Sequence, residues 1–280
     1  MFKIFRISRR TRKTLGILAI PIIGLLVYGG IIEPAMLEVT RHEVRIPNLP
    51  KEFDGMTVVQ LSDIHVGVWT RPKHVRRIVQ RVNDMHPDMV VLTGDYVNMV
   101  ASNIEPAGSS LAGIKSKYGV YAVLGNHDYW ADAGRMTRSL RKSGIDVLFN
   151  EKRRISDGRS HIRMVGLDDA WEGDTDYAKA FDGIPRTEPC IAIAHNPDTV
   201  SSIKDQHVDL LLVGHTHGGL INLPFTGPFL SVTNLGPKYS AGMFRFGDTN
   251  MYVSRGMGQG TGSHFRFRCH PEIPVFILRQ

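Results

Sequence analysis

The sequence predicts an α/β domain that follows a single N-terminal membrane helix. Short apolar runs rich in β-branched residues alternate with helical patterns through the body of the chain, which is typical of a sheet with both faces covered. An uncharged apolar stretch precedes that body. The 280 residues are 42% hydrophobic and 22% charged, which is enough apolar chain for a globular core and excludes a disordered or fibrous protein.

The N-terminus is predicted to be a membrane anchor. Residues 15–32 read LGILAIPIIGLLVYGGII without a charge, at the short end of what crosses a bilayer. Residues 1–14 form a basic tail whose cations are Lys3, Arg6, Arg9, Arg10, Arg12 and Lys13. By the positive-inside rule, these cations hold the N-terminus in the cytoplasm and the body on the outer side. A cleaved export signal and a helix lying in one leaflet remain alternatives, although no A-x-A-like site follows the run.

The body of the chain is nearly neutral. Removal of the six tail cations from the 34 Lys and Arg residues leaves 28 basic side chains against 27 acidic ones. We therefore expect no nucleic-acid partner, because duplex binding needs a basic face. Two cysteines, Cys190 and Cys269, allow at most one disulfide and no framework of them.

A polar connector is expected over residues 33–55 and the folded domain over residues 56–280. Five buried strands are predicted at Met56–Leu61, Met89–Leu92, Val120–Leu124, Cys190–Ala194 and Leu210–Val213. Between the first two, a helix begins behind Pro72, and its apolar face is formed by Val75, Ile78, Val79, Val82 and Met85. A last strand is expected near Glu272–Leu278.

Polar motifs follow each of the five strands: SDIHVG, GDYVN, GNHD, HNPD and GHTHGG. Ligands gather at the carboxyl ends of strands in α/β sheets, so these motifs are expected to meet in one crevice. The candidate metal ligands are Asp63, His65, Asp95, Asn126, His195, His215 and His217. In an extended segment of period two, Asp63 and His65 would face one centre, and a glycine before Asp95, Asn126 and His215 would permit a sharp turn.

Oxygen and imidazole ligands suit Mn, Fe or Zn, and this number of ligands favours two divalent ions that share one carboxylate. A water between two such ions would be acidified enough to attack phosphorus in line. The pattern therefore predicts a metal-dependent hydrolase of phosphoesters.

These motifs, in this order over roughly residues 56–220, resemble the signature of the calcineurin-like metallophosphoesterases. The resemblance implies a β-sandwich flanked by helices. It implies one metal held by Asp63, His65, Asp95 and His217, and a second held by Asp95, Asn126, His195 and His215. It also implies that His127 stays off the metals and protonates the leaving oxygen, so that Asp95, Asn126 and His127 form the catalytic set. Asp128 is expected to orient a neighbour.

The membrane segment and the AHNPD and GHTHGG motifs resemble the small bacterial membrane-associated branch of that family. This branch implies an enzyme of the bacterial inner membrane that cleaves a phosphodiester or pyrophosphate bond in a phosphorylated lipid such as UDP-2,3-diacylglucosamine, or in a small-molecule phosphodiester. An outward-facing domain would not meet a nucleotide-activated lipid, so an exported phospholipid or cell-envelope phosphate is the alternative substrate. A non-catalytic, metal-bound scaffold is the alternative of another class.

Two segments carry further expectations. Residues 220–230, LINLPFTGPFL, complete the fold as a strand and turn, or form an apolar lip that accepts acyl chains or rests on the membrane interface. Phe265, Arg266, Phe267 and Arg268 alternate, so a strand there would face its rings inward and its guanidinium groups outward. Arg266 and Arg268 are thus candidate contacts for a phosphorylated substrate, since guanidinium groups suit phosphate.

Overall fold

A computed structural model describes residues 8–229, 231–258 and 265–280 of the chain. Within these residues, two six-stranded sheets pack face to face. In spatial order, the first sheet contains β1 (Glu38–Arg45), β14 (Glu272–Arg279), β2 (Thr57–Leu61), β3 (Met89–Thr93), β4 (Val120–Val123) and β5 (Asp146–Val147). The second contains β12 (Gly242–Phe246), β13 (Thr249–Val253), β9 (Leu210–Val213), β8 (Cys190–Ile193), β7 (His161–Gly166) and β6 (Glu151–Ser156).

Of the six α-helices that the described residues form, all but the first cover the outer faces of the two sheets. Their bounds are α1 (Arg9–Val27), α2 (Pro72–Asp84), α3 (Ile104–Leu111), α4 (Asn126–Lys142), α5 (Ala178–Phe181) and α6 (Thr199–Ser202). A two-stranded hairpin, β10 (Asn222–Leu223) and β11 (Gly227–Pro228), stands apart from the main sheets. The predicted α/β sandwich with flanking helices is confirmed, and each of the five predicted strands lies within two residues of its expected bounds.

Three apolar cores hold these layers together. Val58, Phe276 and Ile193 belong to the core between the two sheets. Helices α2, α3 and α4 bury Val75, Val79, Ile104 and Leu140 against the first sheet. The short helices α5 and α6 cover the second sheet, as in the buried cluster that contains Phe181 and Val200. Burial of apolar side chains on both faces of each sheet explains why their strands read as continuous apolar runs.

The predicted connector is not a plain linker. It contributes β1, which pairs in parallel with β14 over eight residues at the edge of the first sheet. Only Val44 of this strand is buried, so its mixed polar sequence gives no core signal. An edge strand can be polar on its open side, which is why the pattern of apolar residues misses it.

Helix α1 carries the predicted anchor. It continues through a π-helical turn, Tyr28–Ile32, and a 3₁₀ turn, Glu33–Ala35. The 20 residues Gly16–Ala35 are long and apolar enough to cross a membrane and are almost entirely exposed. Pro21 lies inside the helix without ending it. Of the predicted basic tail, residues 1–7 lie outside the described residues.

We call the turns that end this helix, residues 28–35, its foot. The sheet topology places this foot near the carboxyl end of β2. Strand β1 begins three residues after Ala35 and runs parallel to β14, which is antiparallel to β2. Val39 pairs with Ile273, and Val275 pairs with Val59, so the start of β1 lies level with the end of β2. The chain therefore enters the domain at the same end of the sheet as the motif that follows β2.

Candidate metal centre

The loop after β2 holds Asp63 and His65 in the left-handed backbone region rather than in an extended one. Their φ angles are 52° and 48°, so the expected period-two geometry is wrong. The Asp63 amide donates to the Gly94 carbonyl at 3.1 Å, and the His65 amide donates to the Asp95 carbonyl at 2.9 Å. These bonds to the loop after β3 hold a conformation that costs a non-glycine residue free energy.

The loop after β9 repeats this arrangement across the sandwich. His215 and His217 have φ angles of 71° and 51°. The His215 amide donates to Asp63 Oδ1 at 2.9 Å, which ties the loops of the two sheets together. With Asp95, whose φ is 58°, five candidate site residues have a left-handed backbone, a local cost that the surrounding hydrogen bonds compensate, as is usual at functional sites.

Glycines stand before three of the candidate ligands for two different reasons. Gly94 has a φ of +90°, so it provides the turn expected before Asp95. Gly125 and Gly214 are instead needed for space. A Cβ on Gly125 would lie 2.3 Å from Asp95 Oδ1, and one on Gly214 would lie 2.0 Å from Ser62 Oγ. At these two positions, close approach of the backbone replaces the predicted turn.

The predicted ligands converge as two buried clusters. Asp63, His65 and His217 form one, and Asp95, His195 and His215 form the other, with the ligand atoms of each cluster within 4.8 Å of one another. In the first cluster, His65 Nε2 lies 3.0 Å from His217 Nε2. In the second, His215 Nδ1 lies 3.1 Å from His195 Nε2.

Asp95, a member of the second cluster, also faces the first. Its Oδ2 is 3.4 Å from His65 Nε2 and 3.3 Å from His195 Nε2. One carboxylate thus faces imidazoles of both groups, which is the arrangement that a bridging ligand needs.

The residues present fit a pair of divalent cations. Ring nitrogens of paired histidines face each other, and the Oδ1 atom of Asn126 is buried without a hydrogen-bond partner among the described residues. A buried amide oxygen without a partner is unfavourable unless something else binds it. The Nδ1 atom of His195 donates to the Thr93 carbonyl at 2.8 Å, which leaves Nε2 free to act as a ligand.

The electrostatics of the pocket treat its imidazoles differently: burial lowers the pKa of His65 and His215, whereas at His195 the Asp95 carboxylate outweighs burial and raises the pKa. Burial lowers the pKa of His65 to about 4 and the pKa of His215 to about 3, so both rings keep a lone pair for a metal at neutral pH. Burial alone would raise the pKa of Asp95, but the charge of His195 and its hydrogen bond hold that pKa well below its ordinary value. Burial and the nearby Asp95 carboxylate raise the pKa of Asp63 to about 6.

Asn126 and His127 begin helix α4, directly after β4. His127 Nε2 lies 3.9 Å from Asp95 Oδ2, and its ring packs against Trp130 with centroids 4.8 Å apart. The ring therefore faces the pocket beside the bridging position. Burial lowers the pKa of His127, while the Asp95 carboxylate opposes that shift.

Asp128 orients several neighbours. Its carboxylate accepts hydrogen bonds from the backbone amides of Asp95 at 2.9 Å, Tyr96 at 2.9 Å and Gly125 at 3.0 Å. These bonds join the loop that carries Asp95 to the helix that carries Asn126. Asp128 thus fixes the relative position of two candidate ligands, which follow different strands.

The mouth of the pocket is apolar. A cavity of about 250 Å³ contains Asp95, His127 and His215 at its base and Trp130, Trp171, Leu220 and Val232 around them. Sequence reasoning missed both tryptophans. Trp130 lies three residues after His127 on α4, a helical spacing that places the two on one face. Trp171 follows LDDA after β7, a sixth strand end with acidic residues that would have signalled the loop.

The segment that holds the two candidate arginines corrects one expectation. Arg266 is fully buried, not outward-facing, because its guanidinium donates to the carbonyls of Cys269 at 3.1 Å and Gly258 at 2.7 Å. It holds the backbone of the loop after β13 against that of Cys269, and its burial keeps it from contacting substrate. Arg268 is exposed. Residues 259–264 and Leu230, the last residue of the predicted lip, lie outside the described residues.

The two cysteines are free and buried, so the disulfide that the sequence permitted is absent between them. Cys269 Sγ lies 3.1 Å from the carbonyl oxygen of His217. Its backbone amide donates to the buried carboxylate of Glu33, at the foot of the apolar helix. Through these contacts Cys269 joins the end of the apolar helix to the loop after β9 that carries His217.

This chain is similar to known proteins over most of its length. The model of the calcineurin-like phosphoesterase family matches residues 56–219. The uncharacterized metallophosphoesterase YkuE of Bacillus subtilis is 32% identical over 257 residues, which cover 90% of this chain and 89% of YkuE. The phosphodiesterase YaeI of Escherichia coli is 30% identical over 252 residues, or 88% and 90% of the two chains. The UDP-2,3-diacylglucosamine pyrophosphatase LpxG of Chlamydia muridarum is 28% identical over 299 residues, or 87% and 90%.

Proposed function

We propose that this chain, which belongs to the calcineurin-like phosphoesterase family, hydrolyses a phosphodiester or pyrophosphate bond in a membrane lipid. Enzymes of this family use a dinuclear divalent metal centre, and the chain is a metal-dependent phosphoesterase with the histidine and aspartate clusters for such a centre. A lipid substrate is the part of this proposal that goes beyond the family assignment. The observation that carries it is that the metal pocket and the foot of the apolar helix lie at the same end of the first sheet.

Two groups of residues would hold the metals. Asp63, His65 and His217 would bind one ion, Asn126, His195 and His215 would bind the other, and Asp95 would bind both. When bound, a pair of divalent ions acidifies a water molecule and neutralises charge on the phosphoryl oxygens. Mn, Fe and Zn all suit this mixture of oxygen and imidazole ligands.

His127 is assigned the proton transfer to the leaving oxygen. Its ring lies at the base of the pocket, on the outer side of the cluster that contains His65. There it packs between the rings of His65 and Trp130. An imidazole there can stabilise the leaving alkoxide by donating a proton from Nε2, which faces the same space as Asp95 Oδ2. Packing against Trp130 limits rotation of the ring and so favours one orientation of that donor.

The shape of the pocket suits an amphipathic substrate. Its base is polar and charged, whereas half-exposed Trp130 and Trp171 form its mouth. The indole of Trp130 donates to Glu172 at 2.8 Å, which links the two sides of that mouth. A phosphate at the base would leave the apolar part of the molecule against indole rings, a contact that suits the acyl chains of a lipid.

Tethering adds a second argument for a lipid. Helix α1 would anchor the domain in the bacterial inner membrane, which confines the pocket near the bilayer and raises the effective concentration of lipid head groups. Similarity to LpxG supports a substrate such as UDP-2,3-diacylglucosamine, and similarity to YaeI supports phosphodiester cleavage. The basic tail instead favours a domain outside the cytoplasm, for which an exported phospholipid or cell-envelope phosphate is the second candidate.

The test is hydrolysis by the full chain in vesicles supplied with Mn²⁺. A panel contains lipid pyrophosphates, phospholipids and the soluble diester bis-p-nitrophenyl phosphate, and products are identified by mass spectrometry. The Asp95→Ala variant, purified in the same way, controls for contaminating enzymes. We expect a lipid to be cleaved at higher kcat/KM than the soluble diester. Cleavage of soluble esters alone would overturn the lipid proposal and leave the family assignment intact.

A further inference from the structure

The hairpin formed by β10 and β11 exposes large apolar side chains that the fold does not use. We call residues 220–229 the apolar hairpin. Phe225, at its turn, is fully exposed at 108%, and Phe229 is 65% exposed. Leu223 is also exposed. Exposed aromatic groups clustered on one protruding element are unfavourable in water and mark a contact with another apolar phase.

The foot of the apolar hairpin is attached to the foot of helix α1. The Asn222 amide donates to the Phe267 carbonyl, and the Phe267 amide donates to the Leu220 carbonyl, each at 2.9 Å. The ring of Phe267 meets the ring of Tyr28 edge to face, with centroids 6.3 Å apart. Tyr28 is the first residue of the turn that follows α1. The hairpin is therefore held beside the point where the membrane helix ends.

Close packing reinforces this attachment. Gly29 is buried, and a Cβ there would lie 2.3 Å from the ring of Phe265. The Arg266 amide donates to the Gly29 carbonyl at 2.9 Å. The backbone of residues 265–267 is thus bound to the helix foot on one side and to the hairpin on the other, which fixes the two elements relative to each other.

We propose that the apolar hairpin inserts Phe225 and Phe229 into the interface of the bilayer that α1 crosses. Leu220, at the hairpin's foot, also contributes to the wall of the metal pocket. The hairpin is then a second membrane contact that turns the pocket mouth toward the lipid surface. Aromatic side chains are well suited to this depth, because the interface accepts apolar rings near polar head groups. The inference rests on the membrane anchoring set out under the proposed function.

The depth in the bilayer of a spin label attached at the hairpin turn tests this proposal directly. Phe225→Cys is labelled with a nitroxide in the full chain, which is reconstituted in vesicles of phosphatidylethanolamine and phosphatidylglycerol. The native cysteines are buried, so the label reports the introduced thiol. Collisions of the nitroxide with oxygen, which concentrates in lipid, are compared with collisions with a water-soluble nickel chelate.

Lys117→Cys is the matched control, because Lys117 is exposed and precedes β4 at the opposite end of the sheet. We expect greater access to oxygen and less to nickel at residue 225 than at residue 117. Equal accessibility at the two positions would overturn the inference. Protection from both reagents, with spin–spin broadening that disappears on dilution by unlabelled protein, would also overturn it and would assign the hairpin to contact with a second copy.

Substrate assays separate this inference from the proposed function. In the Phe225→Ser/Phe229→Ser double variant, the ratio of turnover of vesicle lipid to turnover of soluble diester is expected to fall. If wild-type protein cleaves lipid while the probe at residue 225 stays in water, the hairpin inference fails and the lipid proposal stands. If the probe lies in lipid and no lipid is cleaved, the hairpin inference stands and the lipid proposal fails.

Discussion

Asp128→Asn tests whether a residue outside the ligand set holds the metal centre together. The carboxylate accepts amide hydrogen bonds through both oxygens, from Asp95 and Gly125 at Oδ2 and from Tyr96 at Oδ1. An asparagine side chain has one oxygen, so its NH₂ group must face at least one amide donor. A buried amide that is left without its acceptor costs about 1–3 kcal/mol.

We therefore expect Asp128→Asn to lower the free energy of unfolding by about 2 kcal/mol and to weaken metal binding by roughly 10–100-fold, as is usual for residues that orient ligands. Asp205→Asn is the control, because Asp205 is an exposed carboxylate after α6. Denaturant unfolding and Mn²⁺ titration measure the two effects. If Asp128→Asn matched both the wild type and Asp205→Asn in stability and in metal affinity, the argument that Asp128 positions the ligands would be refuted.

Three further predictions concern single positions. His127→Ala is expected to lower kcat by about 10²–10⁴-fold while the metal content measured by mass spectrometry stays at the wild-type value; metal loss would contradict the role of proton donor. Gly214→Ala should lower the melting temperature and the metal content, because its Cβ would lie 2.0 Å from Ser62 Oγ and 2.3 Å from Asp63 Oδ2; an unchanged melting temperature would count against this packing argument. Partial burial of the His42 ring beside Tyr252 and Phe276 lowers its pKa, so the neutral form stabilises the fold above about pH 6.5 and this contribution is lost as the pH falls. The pH dependence of the melting temperature should flatten between pH 7 and 5 in His42→Phe, and an identical dependence would refute the assignment.

The buried strands and the convergence of the candidate ligands were predictable because both depend on local sequence. A strand covered on both faces is apolar throughout, and a polar motif directly after it marks the carboxyl end of a sheet. The sequence therefore predicted that Asp63, Asp95 and His215 share one pocket, although it did not give the order of the strands. Their backbone conformation was not predictable in this way, since the left-handed φ angles depend on hydrogen bonds between loops that are distant in sequence.

Other features depend on tertiary contacts that the sequence pattern does not contain. Strand β1 is mostly polar because it lies at a sheet edge, and its partner β14 is more than 200 residues away, so the segment resembled a linker. Arg266 was expected at the surface because alternation assigns one face to solvent. In the structure, the backbone carbonyls of Arg255, Gly258 and Cys269 surround its guanidinium, so Arg266 is buried while Arg268 is exposed. A charged residue can be buried when enough acceptors compensate for lost hydration.

The most direct test of the account is the metal content of the full chain purified with Mn²⁺, compared between wild type and Asp95→Ala. If Asp95 binds both ions, the wild type contains about two equivalents per chain, and the variant contains fewer and shows no phosphodiester hydrolysis. Two equivalents retained by Asp95→Ala, or full hydrolysis by wild-type protein stripped of metal, would contradict a dinuclear centre built on this carboxylate.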